Sequence, residues 1–265
     1  MTSFGCATDP GTMQGLLPEA GNGVCRTRMA AEVEARIGEA AFRGKGAAPF
    51  VTVSYAQSLD GSIAALPGHP LALSGAESTA LAHELRALHD AILVGIGTIL
   101  SDDPLLTVRL VEGRDPQPVV LDSRLRFPLN ARMLEHGSRP PWVVTGLRGE
   151  PRRIGALEER GVRVVRVTLD RMGQVDISAM LAALRGLGVK SLLVEGGVQV
   201  ITSFLAARVV DQMVVTIAPL MVGGPRAPDG PVKRKGSSYP RLKNVTYERI
   251  GEEIVLRGDL VRDTW

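Results

Sequence analysis

Residues 191–208 read SLLVEGGVQVITSFLAAR, and their pattern decides the architecture. Ser191–Val194 is a short apolar strand, Glu195-Gly196-Gly197 is a turn, and the apolar spacing beyond it suits a helix to about Arg208. Residues 91–98 repeat the arrangement. Ala91–Val94 reads as a buried strand, and Gly95-Ile96-Gly97-Thr98 leads into a brief turn stopped by Pro104. Two strand–glycine–helix junctions on one sheet put both turns at the carboxyl ends of their strands, where open α/β sheets bind ligands.

Working outward, Phe50–Tyr55, Val119–Leu121, Trp142–Thr145 and Val162–Val167 are β-branched runs that read as strands, with Ser62–Ala65 continuing the first. Arg152–Arg160 and Asp176–Leu187 read as helices. Ser74 and Glu77 fit a capping box ahead of a Leu81, Leu85, Leu88 stripe. Strands alternating with helices imply βαβ units and a largely parallel sheet. The tail breaks the alternation: Gln212–Ala218, Val245–Ile250 and Ile254–Leu260 are strands with no helix between them, the last two meeting at Gly251-Glu252-Glu253. The fold class is α/β, a mostly parallel central sheet with C-terminal antiparallel strands. Residues 1–49 read as a flexible leader holding one short helix over Met29–Phe42, and 50–265 as the folded domain.

Composition narrows the function classes. With 45% hydrophobic and 22% charged residues the chain is globular, and no run approaches the length of a membrane span. The N-terminus lacks the basic region and apolar run of a signal peptide, so the cytoplasm is the expected compartment. Cys6 and Cys25 are the only cysteines, which excludes a disulfide framework or a Cys-rich zinc module. Net charge is +3, and the one basic cluster, Lys233-Arg234-Lys235, has no aromatic interleaving; at 4% aromatic residues no base-stacking platform for nucleic acid is expected. Asp102 and Asp103 have no His or Cys neighbour in sequence, so no metal is expected.

At both junctions two readings stand. The glycines pack helix against strand, or they let a pyrophosphate approach the free N–H groups of the following helix. The segment is not GxGxxG, and no acidic residue stands at the ribose distance. Arg109, just after the Asp102-Asp103-Pro104 turn, is a surface residue unless a second arginine converges on it, and Arg86 is one candidate. His83 and His89 read as polar-face residues of their helix.

Taken together, SLDGSIA (58–64), LRALHDAILVGIGTILSDDPLLTVR (85–109), PVVLDSRLRFP (118–128) and LLVEGGVQVITSFLAARVVDQMVVTIAPLMVGG (192–224) resemble a known family. Residues 50–261 are similar to the C-terminal reductase domain of bacterial riboflavin-biosynthesis deaminase-reductases and to the stand-alone archaeal and fungal pyrimidine reductases. That resemblance implies a dihydrofolate-reductase-like three-layer fold, NADPH as cofactor, and reduction of the ribosyl group of a phosphoribosylamino-pyrimidine to ribityl. It places Ala56, Thr98 and Asp102 along the cofactor near the nicotinamide, Ser123 on the adenosine side with Arg124 or Arg126 at the 2′-phosphate, and Gly196 and Gly197 at the pyrophosphate. Arg86, Leu106 and Arg109 match substrate-contacting positions, the arginines forking a 5′-phosphate. Glu195 matches a carboxylate at the substrate; it and Asp102 are the catalytic candidates. Family habit and the added strands imply a homodimer. Two positions depart from the pattern: Ser54 where the family often has Lys or Asn, and Pro70 where it has a serine. The deaminase half has no counterpart in residues 1–49. A same-fold reductase with another small substrate, or a non-catalytic nucleotide-binding module, are the alternatives.

Overall fold

The computed structural model describes residues 26–42, 46, 48–66, 68–69, 71–230 and 239–261. Cys6, Cys25, Pro70 and the Lys233-Arg234-Lys235 cluster lie outside the described residues. Among the described residues nine strands form one sheet: β1 (Phe50–Ser58), β2 (Ala91–Gly95), β3 (Gln117–Leu121), β4 (Trp142–Gly146), β5 (Arg163–Val167), β6 (Ser191–Val194), β7 (Gln212–Ala218), β8 (Leu242–Ile250) and β9 (Glu253–Leu260), in the order β5-β4-β3-β2-β6-β1-β7-β9-β8. From β5 to β7 every neighbouring pair is parallel, while β9 pairs antiparallel with β7 and β8 with β9. The mostly parallel sheet with an antiparallel C-terminal end is therefore found as expected.

Helices cover both faces, which explains the unbroken apolar runs of the central strands. On one face α6 (Ile177–Gly186) and α7 (Val198–Ala206) pack Met180, Leu184, Ile201 and Phe204 onto Val51, Leu93 and Leu192. On the other, α1 (Arg28–Phe42), α2 (Ala76–Leu88), α3 (Ile96–Asp102), α4 (Arg132–His136) and α5 (Pro151–Glu159) meet Ile92, Val120, Val143 and Leu193. Adjacent residues of β2, Ile92 and Leu93, thus belong to opposite cores, as a period of two dictates. The arrangement is a three-layer sandwich.

Three local expectations are corrected. The helix placed in the leader is part of the core: Met29, Ala30 and Val33 are buried in one cluster with Leu81 and Leu85, because an amphipathic stripe needs a partner face wherever it falls in sequence. The Ser74/Glu77 capping box does not form. Gly75 caps α2 without a side-chain bond of its own. Glu253, at the start of β9, accepts instead from the Gly75 N–H (2.9 Å) and the Ser78 hydroxyl (2.8 Å). Ser62–Ala65 is no strand; Ser62 makes only an isolated bridge to Arg226. Asp60 bends the chain away by accepting the Ser58 and Ser62 hydroxyls (2.6 and 2.7 Å) and the Val222 and Gly223 N–H groups (both 2.9 Å). Helix α4, five residues long and without a side-chain cap, is too short to show an apolar period in the sequence.

The chain leaves β1 toward β2–β5 on one side, then returns to insert β6 between β2 and β1 and to place β7 beyond β1. This reversal opens a crevice above the carboxyl ends of β1, β2 and β6, the place where doubly wound sheets take ligands.

Candidate active site

A cleft of about 440 Å³ occupies that crevice. Its floor comes from Ser54 and Ala56 of β1 and Thr216 of β7, its walls from α2, α3 and the Glu195-Gly196-Gly197 turn, and residues 71–74 border it. Of the residues proposed for the site, Ala56, Arg86, Thr98, Asp102, Leu106, Glu195, Gly196 and Gly197 all line it. Arg109, Ser123 and Arg124 do not.

Glu195 follows β6 and donates its N–H to the Leu93 carbonyl (2.9 Å), which fixes its carboxylate over the β2–β6 seam. Arg86, one turn from the end of α2, grips it at both oxygens: Nε to Oε1 at 2.9 Å and Nη2 to Oε2 at 2.7 Å. The remaining terminal nitrogen, Nη1, donates to the Thr107 carbonyl (3.2 Å). Burial opposes the charge on Arg86, but the Glu195 carboxylate outweighs it and raises the guanidinium pKa. Arg86 therefore positions Glu195, with three of its five donors taken by these bonds. Arg109 is exposed beside this pair, with Nη1 donating to Thr107 Oγ1 at 2.6 Å.

Between the two arginines lies His83, 3% exposed. Its Nδ1 accepts the Arg109 N–H at 2.9 Å. Burial first, then the positive charges of Arg86 and Arg109, push its pKa down to about 4, so it is neutral near pH 7. Reading His83 as a polar-face residue missed this; the signal available was its place three residues before Arg86, on the same face of α2.

The glycine junctions separate into two kinds. A Cβ on Gly196 would stand 2.4 Å from Val200 Cβ, and one on Gly95 would stand 2.8 Å from Val200 Cγ2, so both are packing glycines. A Cβ on Gly97 or Gly197 meets nothing within 4 Å. Gly197 borders the cleft and caps α7 with no side-chain hydrogen bond at the cap, so the space beside it is open and a side chain would enter it. At the carboxyl end of β3, buried Asp122 accepts the Phe127 N–H (2.8 Å) and shapes the 122–127 turn. Ser123 accepts the Val175 N–H (3.1 Å), Arg124 is exposed, and Arg126 stands 3.7 Å from Asp122. These residues share the strands' carboxyl edge with the cleft but lie outside its lining. Asp102 is exposed at the rim and accepts from the Ser101 hydroxyl. Among the described residues no cluster of His, Cys, Asp and Glu could hold a metal ion, and no helix is long and apolar enough to cross a membrane.

The three layers, the strand order and a cleft at the parallel strands' carboxyl ends define an α/β protein built as a three-layer sandwich around a mostly parallel sheet. A family model described as RibD C-terminal domain matches residues 49–256. The chain is 36% identical over 215 residues to the 2,5-diamino-6-ribosylamino-4(3H)-pyrimidinone 5′-phosphate reductase of Archaeoglobus fulgidus, taking in 77% of this chain and 94% of that protein. It is 34% identical over 210 residues to the riboflavin biosynthesis protein RibD of Aquifex aeolicus, covering 78% of this chain but 57% of that longer one. Among solved structures, the Saccharomyces cerevisiae riboflavin biosynthesis reductase Rib7 superposes with a TM-score of 0.68 at 26% identity, over 85% of this chain and 98% of Rib7. The Acinetobacter baumannii RibD structure shares the fold, with a TM-score of 0.71 at 24% identity over 86% of this chain and 62% of RibD. The chain belongs to the RibD C-terminal domain family.

Proposed function

We propose that this protein reduces the ribosyl group of a 5-phosphoribosylamino-pyrimidine, a diamino-pyrimidinone or an amino-uracil, to the ribityl chain in riboflavin biosynthesis, with NADPH as reductant. The observation that carries the reading is convergence: Ala56 of β1, Arg86 of α2, Thr98 and Asp102 of α3, Leu106, and Glu195 and Gly197 of the turn after β6 line one cleft. NADPH, when bound, supplies the hydride that the ribose C1′ accepts once the ring has opened to an imine.

The chain's own residues bind and orient. Gly197 and the start of α7 would take the diphosphate, Ala56 and Thr98 would border the nicotinamide, and Ser123 and Arg124 would reach the adenosine end. Glu195, with both oxygens held by Arg86, is set to accept hydrogen bonds from substrate hydroxyl or amino groups. Asp102, exposed at the rim beside the Ser101 hydroxyl, is the group there that would pass a proton. Arg109 supplies the cation for the phosphate. Ser54, in the cleft where relatives of the resembled family often carry Lys or Asn, favours a second reading: the same reductase chemistry on another small substrate. The protein is further proposed to work in the cytoplasm as a homodimer, with the face of β8 and β9 that exposes Val245, Tyr247 and Ile254 as the contact.

Purified protein with each pyrimidine phosphate should consume NADPH, read as loss of reduced-nicotinamide absorbance. NADPH binding without turnover of either pyrimidine would favour the second reading; no NADPH binding would leave only a non-catalytic module.

A further inference from the structure

The backbone from Asp103 to Arg109 is held in an unfavourable shape. Asp103 has φ +41° and Leu106 φ +56°, and Leu106 is a buried, bulky residue in a region that side chains rarely adopt. Such a conformation persists only when its surroundings over-determine it. Three contacts from outside the segment hold its second half: Arg86 Nη1 to the Thr107 carbonyl (3.2 Å), the Val108 N–H to Asp115 Oδ1 (2.5 Å), and the Arg109 N–H to His83 Nδ1 (2.9 Å).

We propose that His83 is a positioning residue for the anionic end of the substrate: by accepting the Arg109 N–H it fixes the strained Leu106–Arg109 backbone and so sets where the Arg109 guanidinium stands. This rests on the reductase reading given above. The donor and acceptor pattern supports it. A neutral imidazole that accepts at Nδ1 carries its proton at Nε2, and the Arg86 Nη1 found 3.5 Å from Nε2 is itself only a donor. The bond to Arg109 is therefore the only hydrogen bond this ring makes among the described residues. His83 and Arg86, three residues apart on α2, thus divide the work. Arg86 spans Glu195 and Thr107, and His83 secures the next stretch of backbone.

Three variants test this. His83→Asn places an amide oxygen close to where Nδ1 sits, His83→Gln places it too far along the side chain, and His83→Leu removes it. Losing the anchor should raise KM for the phosphorylated pyrimidine roughly tenfold in the Leu and Gln variants. In both, kcat and the NADPH Kd should stay within about threefold, and kcat/KM for the dephosphorylated pyrimidine should not change. The Asn variant should behave as the parent. An Asn variant as impaired as Leu and Gln, or an equal loss on phosphorylated and dephosphorylated substrates, would overturn the proposal. If the Leu variant does not fold, the Asn and Gln pair decides it. Should the parent turn over neither pyrimidine, the activity reading fails by itself. Calorimetric binding of ribose 5-phosphate, retained in Asn and weakened in Gln, would still uphold the role of His83, and equal binding by both would sink it.

Discussion

At the scale of single residues, neighbouring glycines do different work. Gly196 is demanded by packing, since a methyl group there would meet Val200 Cβ at 2.4 Å on the first turn of α7. Gly196→Ala should lower stability by about 1–3 kcal/mol, the usual cost of forcing an extra group into a packed site, measured by chemical denaturation. Gly197 has open space where its side chain would go, so Gly197→Val should fold with near-parental stability yet weaken NADPH binding at least roughly tenfold in a fluorescence titration, equivalent to about 1.4 kcal/mol. Unchanged cofactor affinity would make Gly197 a mere link between β6 and α7. Arg109 is the complementary case. Arg109→Ala should raise KM for the phosphorylated substrate roughly ten- to hundredfold, from loss of a charge-assisted contact of about 1.5–3 kcal/mol, with NADPH affinity within about threefold. Equal loss of both affinities would refute its assignment to the phosphate.

At the scale of elements, α2 is the part on which the site depends most, since it carries His83 and Arg86. Its N-terminus is held from the far end of the chain. Glu253 lies 178 residues from Gly75 and 175 from Ser78, yet its carboxylate satisfies both, close to the positive end of the helix. Glu253→Ala strands a buried hydroxyl and a helix N–H, so unfolding should become easier by about 1–3 kcal/mol. If the Ser74/Glu77 box could take over, the midpoint of denaturation would not move. Strands, most helices and both glycine junctions were legible in the sequence because they are local: apolar period, turn residues and chain order lie within a dozen positions. Other residues lining the cleft, Ala56 and Leu106 among them, were legible only because the segments carrying them match a family pattern. His83, Glu253 and the Asp60 turn were not, since each acts through partners that the fold brings together from distant or unpatterned positions. The same reason explains Arg86, whose arginine chemistry suggested an anion but whose actual partner, Glu195, is 109 residues away.

At the scale of the whole molecule, the helical layer on one face is tied to the sheet by a buried polar chain. His89, fully buried at the end of α2, donates Nδ1–H to the Leu85 carbonyl (2.7 Å) and accepts at Nε2 from the Thr52 hydroxyl (2.8 Å). Thr52 Oγ1 accepts from Gln212 (3.0 Å), Gln212 from Arg257 (3.2 Å), and Asp259 from both Arg257 (2.8 Å) and Arg36 of α1 (3.0 Å). Protonating His89 would break this order at its first link. Burial pushes its pKa down to about 4 from an ordinary 6.5, and His83 is likewise pushed down to about 4. Between those values the unfolded chain binds protons that the fold refuses, so stability is full above pH 6.5 and falls as pH drops toward 4. The slope should approach about 1.4 kcal/mol per pH unit for each imidazole. Below that range a second loss follows. The Ser58 hydroxyl, the Val222 N–H and the Ser62 hydroxyl hold the Asp60 carboxyl well below the usual range. Burial works to raise Asp90, but the Lys190 N–H and Arg114 hold it down as well. Urea denaturation from pH 7.5 to 4.5 should therefore show stability declining from about pH 6.5, before ordinary carboxylates titrate. His89→Gln, which keeps an acceptor for Thr52 but cannot titrate, should lower stability at pH 7.5 and flatten the decline by one imidazole's share. A stability constant from pH 7 to 5 in the parent protein would mean that neither histidine is held neutral by the fold.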